Sequence, residues 1–351
     1  MKEVRVVTYC TWRSLGSIMQ TLGLKKALAE LDAHSSVWLR DDNDQYRMAR
    51  IRSVKGLLRR IYEYMIASKR KSAYRKRVNF IHANVDTEPY ADYDELVGKA
   101  ATDRADLFLA GSDQIWHPDL CDPVFFLDLP VTKKRISYAA SMGKTVIEPD
   151  KLESFERLLR NFDTVSVREQ ECADIIGGLV DREVEVHVDP TFLLPADEWR
   201  RYETPYKTRK PYILVYMLYW NKSCKEKIKQ LKKKTGLPVY AITDSLTSVY
   251  ADKKLHDVGP EEFLWLIDHA EYVVTSSFHG VALSTILNKK FAAVVNPSAA
   301  SRIANLMRIL SVPQVAIEDL ADAPDFDYAA INEAIQREKE KSMQYLKKVL
   351  E

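Results

Sequence analysis

The sequence predicts an α/β protein built on parallel sheets. Short apolar runs alternate with helical stretches along the chain, the pattern of strands joined by crossover helices. At 351 residues the chain exceeds what one core usually serves, so two domains are expected. Polar and glycine residues gather just after the apolar runs, where ligands of open parallel sheets bind.

Taken in order, residues 3–9 read as a strand, 15–31 as an amphipathic helix opened by a Gly16-Ser17 turn, and 36–39 as a second strand, which makes a β-α-β unit. Residues 106–109 form a short strand ending in Gly111-Ser112-Asp113-Gln114, and 136–139 and 164–167 form two more. A second series follows Asp189-Pro190-Thr191 and the proline-rich, charged stretch 195–210: strand 212–218, helix 223–234, strand 238–242 and helix 260–269. Gly259 and Pro260 mark the start of that last helix. The boundary is placed near residue 196, giving domains 1–195 and 196–351. The charged tail 328–350 reads as a helix with Ile331, Ile335, Met343, Tyr345, Leu346 and Val349 available to dock on one of the domains.

The segment 271–290, EYVVTSSFHGVALSTILNKK, puts a histidine where an apolar strand (272–274) turns through 276–280 into a helix (281–287). The unpaired N–H groups and positive dipole end of such a helix favour an anion. His279 would stand beside it, and imidazole is the side chain that exchanges protons near neutral pH. The competing reading makes Ser277 an N-cap and His279 a structural histidine, and the local pattern leaves both open.

Composition excludes several classes. Lys plus Arg number 52 against 50 Asp plus Glu, a net charge of +2 that gives no global case for nucleic acid or an acidic polymer. Cys10, Cys121, Cys172 and Cys224 are scattered without a CxxC, which argues against a zinc site and a disulfide framework and suits a reducing cytoplasm. No metal cluster is visible, so metal-independent chemistry is expected. The N-terminus carries no signal-peptide core, and the most apolar later run, 212–220, is too short to cross a bilayer. One stretch is locally basic: in 47–77, Arg47, Arg50, Arg52, Lys55, Arg59, Arg60, Lys69, Arg70, Lys71, Arg75, Lys76 and Arg77 sit among apolar residues at helical spacing. It reads either as a helix packed on its own domain or as one lying peripherally on anionic lipid at the inner face of the membrane.

Over most of its length the chain resembles the polysaccharide pyruvyl transferase family. The matching runs are LFLAGSDQIWHP (107–118), FFLDLP (125–130), KRISYAASMG (134–143), VSVRE (165–169), VDPTFLL (188–194) and VTSSFHGVALS (274–284), in family order. The resemblance implies two Rossmann-like domains facing a cleft, a GT-B-like arrangement, with the acceptor on the first domain and the donor on the second. It implies transfer of the enolpyruvyl carbon of phosphoenolpyruvate onto two hydroxyls of a sugar in a cell-surface or exopolysaccharide glycan, as a cyclic ketal, with phosphoenolpyruvate as donor substrate and no cofactor.

On that reading His279 is a general acid and base, Arg168 a two-pronged cation for carboxylate or phosphate, and Asp113 a base. Ser277, Gly280 and Arg302 belong to the donor site, and Gly111, Ser112, Gln114, Trp116 and Tyr138 to the acceptor site. The chain departs from the family at Ser14-Leu15-Gly16, where relatives carry an Asn-Xaa-Gly-like turn, so that loop is not assigned to the acceptor. Two alternatives stand beside this one: a GT-B-like glycosyltransferase using a nucleotide sugar, and a non-catalytic glycan-binding relative.

Overall fold

A computed structural model describes residues 1–40, 54–209, 211–219, 222–243, 250–295 and 300–351. The first domain carries strands β1 (Lys2–Val7), β2 (Ala33–Arg40), β3 (Thr87–Tyr90), β4 (Leu107–Ala110) and β5 (Lys134–Ser137) in one parallel sheet of order β3-β2-β1-β4-β5. Helices α1 (Leu15–Glu30), α2 (Val54–Asn84) and α3 (Tyr93–Thr102) make the connections. Beyond α4 (Pro149–Leu159), β6 (Val165–Val167) leads through α5 (Gln170–Val180) to its parallel partner β7 (Val184–Val186). The bridges Ile136–Thr164 and Ala140–Val167 attach β6 to the β5 edge. Every residue of β4 is buried, which is why LFLA shows no alternation: helices cover both faces of a parallel sheet.

Helix α6 (Ala196–Arg200) follows, and the second domain repeats the plan. Strands β8 (Ile213–Tyr216), β9 (Val239–Ile242), β10 (Lys253–Leu255), β11 (Tyr272–Thr275) and β12 (Phe291–Ala293) form a parallel sheet of order β10-β9-β8-β11-β12. Between and after them run α7 (Lys222–Thr235), α8 (Pro260–Asp268), α9 (Phe278–Ile286), α10 (Ala300–Ile309) and α11 (Tyr328–Leu350). Two sheets of the same strand order make two Rossmann-like domains facing a cleft, with a C-terminal helix, as the sequence implied. Strands β3, β7, β10 and β12 escaped the sequence reading because they are three- or four-residue edge strands. An edge strand can be as polar as TEPY or KKL, since one side of it needs no partner.

One apolar cluster runs through both domains, joining Leu22 and Leu28 of α1, Phe263 and Leu266 of α8, Val281 and Leu283 of α9, and Leu346 of α11. Helix α11 reaches back to the first domain, where Tyr345 donates to the Ser137 carbonyl at 2.8 Å and Lys134 donates to the Val349 carbonyl at 2.9 Å. Tyr345 also packs on His187, with ring centroids 4.5 Å apart. Burial, with help from Lys341 and Lys348, pulls the His187 imidazole down to about 3, so it stays neutral under the helix.

Of the basic stretch, residues 47–53 lie outside the described residues. The rest forms α2, which runs on to Asn84. Ile66, Ala73, Phe80 and Ile81 pack inward. Lys76 donates to the Asp257 carbonyl at 2.9 Å and pairs with Glu262, and Arg77 donates to the Trp12 carbonyl at 3.1 Å, so α2 spans both domains. Among the described residues, no helix is long and apolar enough to cross a membrane.

Candidate active site

The strand ends at the cleft set the charged groups. Arg168 directly follows β6, and its backbone N–H donates to the Ala140 carbonyl at 3.0 Å, which locks the start of the side chain. The guanidinium is buried: Nε donates to Glu169 Oε1 at 3.0 Å and Nη1 to Asp189 Oδ2 at 2.7 Å. It also lies 4.0 Å from the centroid of the Phe278 ring, a cation–π contact in a desolvated site. Burial works against the charge on Arg168, but Glu169 and Asp189 outweigh it and raise the pKa above the ordinary arginine value. The Arg168–Glu169 pair is therefore a buried element of the cleft. Nη2 of Arg168 has no hydrogen-bond partner among the described residues.

Asp189 was not assigned to the site from sequence. It follows β7, is completely buried, and gathers the surrounding donors. The Thr191 N–H and hydroxyl donate to Oδ1 at 3.0 and 2.8 Å, while Ser112 donates to Oδ2 at 3.2 Å. His279 Nε2 stands 3.6 Å from Oδ2, within ion-pair range but too long for a good hydrogen bond. Burial pushes this carboxyl up, but His279 and Arg168 prevail and hold it far below the usual carboxylate range. The VDPTFLL run, noted only as a family match, was the signal that could have found it.

His279 occupies a different setting from the one expected. Helix α9 begins at Phe278, so the histidine is in the first helical turn and is only 7 % exposed, not on an open turn. Ser277 is the N-cap, accepting from the Gly280 N–H at 3.3 Å, so that hydroxyl and that N–H satisfy one another. Gly280 also sits tightly on β11: a Cβ there would lie 2.3 Å from Thr275 Oγ1. The imidazole itself packs on α1, where a Cβ on Gly16 would fall 2.2 Å from His279 Nδ1. Gly16, left outside the site by its departure from the family turn, therefore leaves room for this histidine across the domain boundary.

That close approach makes a prediction. A helical Gly→Ala change ordinarily adds about 1 kcal/mol of helix stability. Gly16→Ala should instead fail to raise the melting temperature and should cut activity at least about tenfold, because the ring or the whole helix must move. A more stable, fully active variant would show that the contact is not maintained in solution.

Arg302 lies in the first turn of α10, not on a loop. It faces the same pocket as Arg168, which Asp189, Phe278 and Glu338 of α11 also line. Burial first, and Arg168 second, lower its pKa. It has no carboxylate partner among the described residues, and its Nε is buried without a hydrogen bond. The Gln114 side-chain carbonyl, in the amide orientation that satisfies both groups, accepts from Arg302 Nη1 and Nη2 at 2.5 and 3.2 Å.

The loop after β4 thus supports the charges. Gly111 donates its N–H to Val7 O at 2.8 Å, and Ser112 is fully buried on Asp189 rather than facing a sugar. Asp113 adopts a left-handed backbone (φ 75°) and accepts from the Gln114 N–H at 2.8 Å. It remains partly exposed beside Tyr9, whose hydroxyl is pushed up to about 12 by burial together with Asp122 and Asp113. Trp116 and Tyr138 do not line the cleft. Both are completely buried with their polar atoms used internally, Trp116 donating to the Phe125 carbonyl at 3.0 Å and Tyr138 to that of Val188 at 2.9 Å, so neither offers a ring face to a sugar. Among the described residues, Glu203, Asp268 and His269 alone approach one another as metal ligands might. Arg200 already engages Asp268 there, at 3.1 and 3.3 Å.

Two facing Rossmann-like domains with charged groups at the strand ends define a GT-B-type fold, and solved structures agree. UDP-GlcNAc 2-epimerase from Methanocaldococcus jannaschii is 11% identical at a TM-score of 0.51, covering 96% of this chain and 92% of its own. UGT89C1 of Arabidopsis thaliana, complexed with UDP, is also 11% identical at a TM-score of 0.51, covering 99% and 98%. At such identities the likeness concerns the fold alone. No curated protein matches the sequence. Residues 15–298 match the family model described as polysaccharide pyruvyl transferase, and the chain belongs to that family, a family of transferases acting on polysaccharide.

Proposed function

We propose that the protein transfers the enolpyruvyl carbon of phosphoenolpyruvate onto two hydroxyls of one sugar in a polysaccharide, forming a pyruvate ketal and releasing inorganic phosphate. The observation that carries this reading is the meeting of Arg168 and Arg302 at one buried pocket beside His279. Each of the three keeps a buried nitrogen without a hydrogen-bond partner among the described residues. Buried donors left unmet cost free energy, and two like charges in one pocket repel. A small, multiply charged anion with a carboxylate and a phosphate answers both.

One sugar hydroxyl adds to the carbon bearing the phosphate, and its proton is carried, through His279, to the methylene carbon, which becomes a methyl group. The second hydroxyl displaces phosphate from the tetrahedral carbon. Its proton leaves with the phosphate, whose charge the two arginines stabilise. Asp189 acts as a positioning residue, holding Arg168 directly and countering charge on His279.

Thermal-shift titration tests the donor. A ligand that binds only the folded state at a hundred times its Kd contributes about 2.7 kcal/mol, a rise of a few degrees. Phosphoenolpyruvate should produce that rise in the wild type, and Arg168→Lys should lose most of it, since an ammonium keeps the charge but not the planar fork. A shift with UDP-sugars and none with phosphoenolpyruvate would replace this reading with a nucleotide-sugar transferase.

A further inference from the structure

Helix α2 carries the main concentration of exposed large apolar side chains among the described residues: Ile61 is 51% exposed, Tyr64 76% and Met65 70%. At 100° per residue these three share one side of the helix, turned away from Ile66, Ala73 and Phe80, which are buried against the protein. Arg60, Lys69, Lys71 and Arg75 are exposed around them. The one acidic residue between Arg60 and Asn84 is Glu63, and it is buried. The charged side chains that α2 itself exposes around this apolar and aromatic patch, from Arg60 onward, are thus all cations. The far side of the same helix meets the segment that leads into α1: Arg77 donates to the Trp12 carbonyl, Tyr74 packs edge-on against Trp12 at 4.8 Å, and Gly16 of the α1 that follows Trp12 abuts His279.

We propose that this outward face of α2 docks on an anionic lipid bilayer. A soluble polyanion would engage the cations but give Ile61, Tyr64 and Met65 no apolar medium to enter. A second copy of the chain would bring an all-basic rim against itself, which like-charge repulsion opposes. A bilayer with anionic headgroups matches both features, since basic side chains settle at headgroup level while aliphatic and aromatic tips reach the acyl boundary. Docking in this way places the cleft beside acceptors held at the membrane surface, and that consequence alone rests on the pyruvyl transfer reading.

Vesicle co-sedimentation tests the docking. The full chain should bind vesicles of phosphatidylglycerol and phosphatidylcholine at low salt, bind phosphatidylcholine alone weakly, and come off as salt rises, because screening shortens the reach of charge to about 10 Å at 0.1 M. Each basic residue near the surface contributes about fivefold in partitioning. The combined variant Arg60→Glu, Lys69→Glu, Lys71→Glu and Arg75→Glu should therefore lose about a hundredfold or more. Ile61→Ser, Tyr64→Ser and Met65→Ser together should lose about tenfold at unchanged charge. All these side chains are exposed, so both variants should keep the wild-type melting temperature and its shift with phosphoenolpyruvate. The proposal is overturned if the wild type ignores phosphatidylglycerol vesicles at low salt. It is equally overturned if the serine variant binds as well as the wild type, which would mean a purely ionic contact, or if the patch proves to mediate self-association in light scattering. Absence of a phosphoenolpyruvate shift in the wild type would count against the proposed reaction and leave the docking result standing.

Discussion

Replacing His279 by alanine or glutamine is expected to lower pyruvyl transfer about a hundredfold or more, the usual loss when a general acid and base is removed. The residue is 7 % exposed and packed on Gly16, so alanine also opens a small cavity between α1 and α9 and should reduce stability. Glutamine keeps most of the volume and separates the two effects. Inorganic phosphate released from phosphoenolpyruvate in the presence of a glycan acceptor gives the rate, and the melting temperature gives the fold. A well-folded His279→Gln protein with near-normal turnover would make His279 a packing residue and move the proton transfer elsewhere.

Asp189→Asn should give the largest loss of stability of any single change at the site. The carboxylate is completely buried and accepts from Arg168, Thr191 and Ser112, so removing its charge leaves the Arg168 guanidinium under-compensated. Breaking a buried ion pair in this way costs about 3–5 kcal/mol. The pH dependence has a defined sign. The folded-state pKa of Asp189 is depressed below its unfolded value near 4, so its contribution is fully present above that pH and is lost as the pH falls below it. The gap in melting temperature between wild type and Asp189→Asn should thus be widest near neutral pH and narrow as the pH drops below about 4. A gap that stays constant down to pH 2 would show that the carboxylate charge is not what Asp189 contributes. Activity should fall further than stability alone explains, because Arg168 loses its hydrogen-bonded carboxylate and His279 the charge beside it.

Which residues meet in the cleft depends on distances the sequence does not encode. Arg168 and His279 stood out because each follows a recognisable apolar strand. Asp189 did not, although VDPTFLL drew notice, because its role exists only when Ser112, Arg168 and His279 arrive from three other segments. Trp116 and Tyr138 misled for the converse reason. Aromatic residues beside a polar loop look alike whether they face solvent or the core, and here neighbouring carbonyls consume their polar atoms inside the domain. The short helix start at Phe278 was read late because Ser277 caps it, turning what looked like a polar turn into a first helical turn.

The sequence by itself determined the alternation of strands and helices, the two series of β/α units, the family, and the basic character of the stretch that forms α2. These are local properties, written in hydrophobic period, in turn and cap residues, and in charge along the chain. The tertiary structure alone decided that Gly16 of one domain makes room for His279 of the other, that Asp189 ties Arg168 and His279 together, that Arg302 faces Arg168 across the pocket, and that α11 returns to the first domain. The physical reason is that these are contacts between residues far apart in the chain, whose geometry is set by how two separate sheets and the helices between them pack, and no local pattern carries that information.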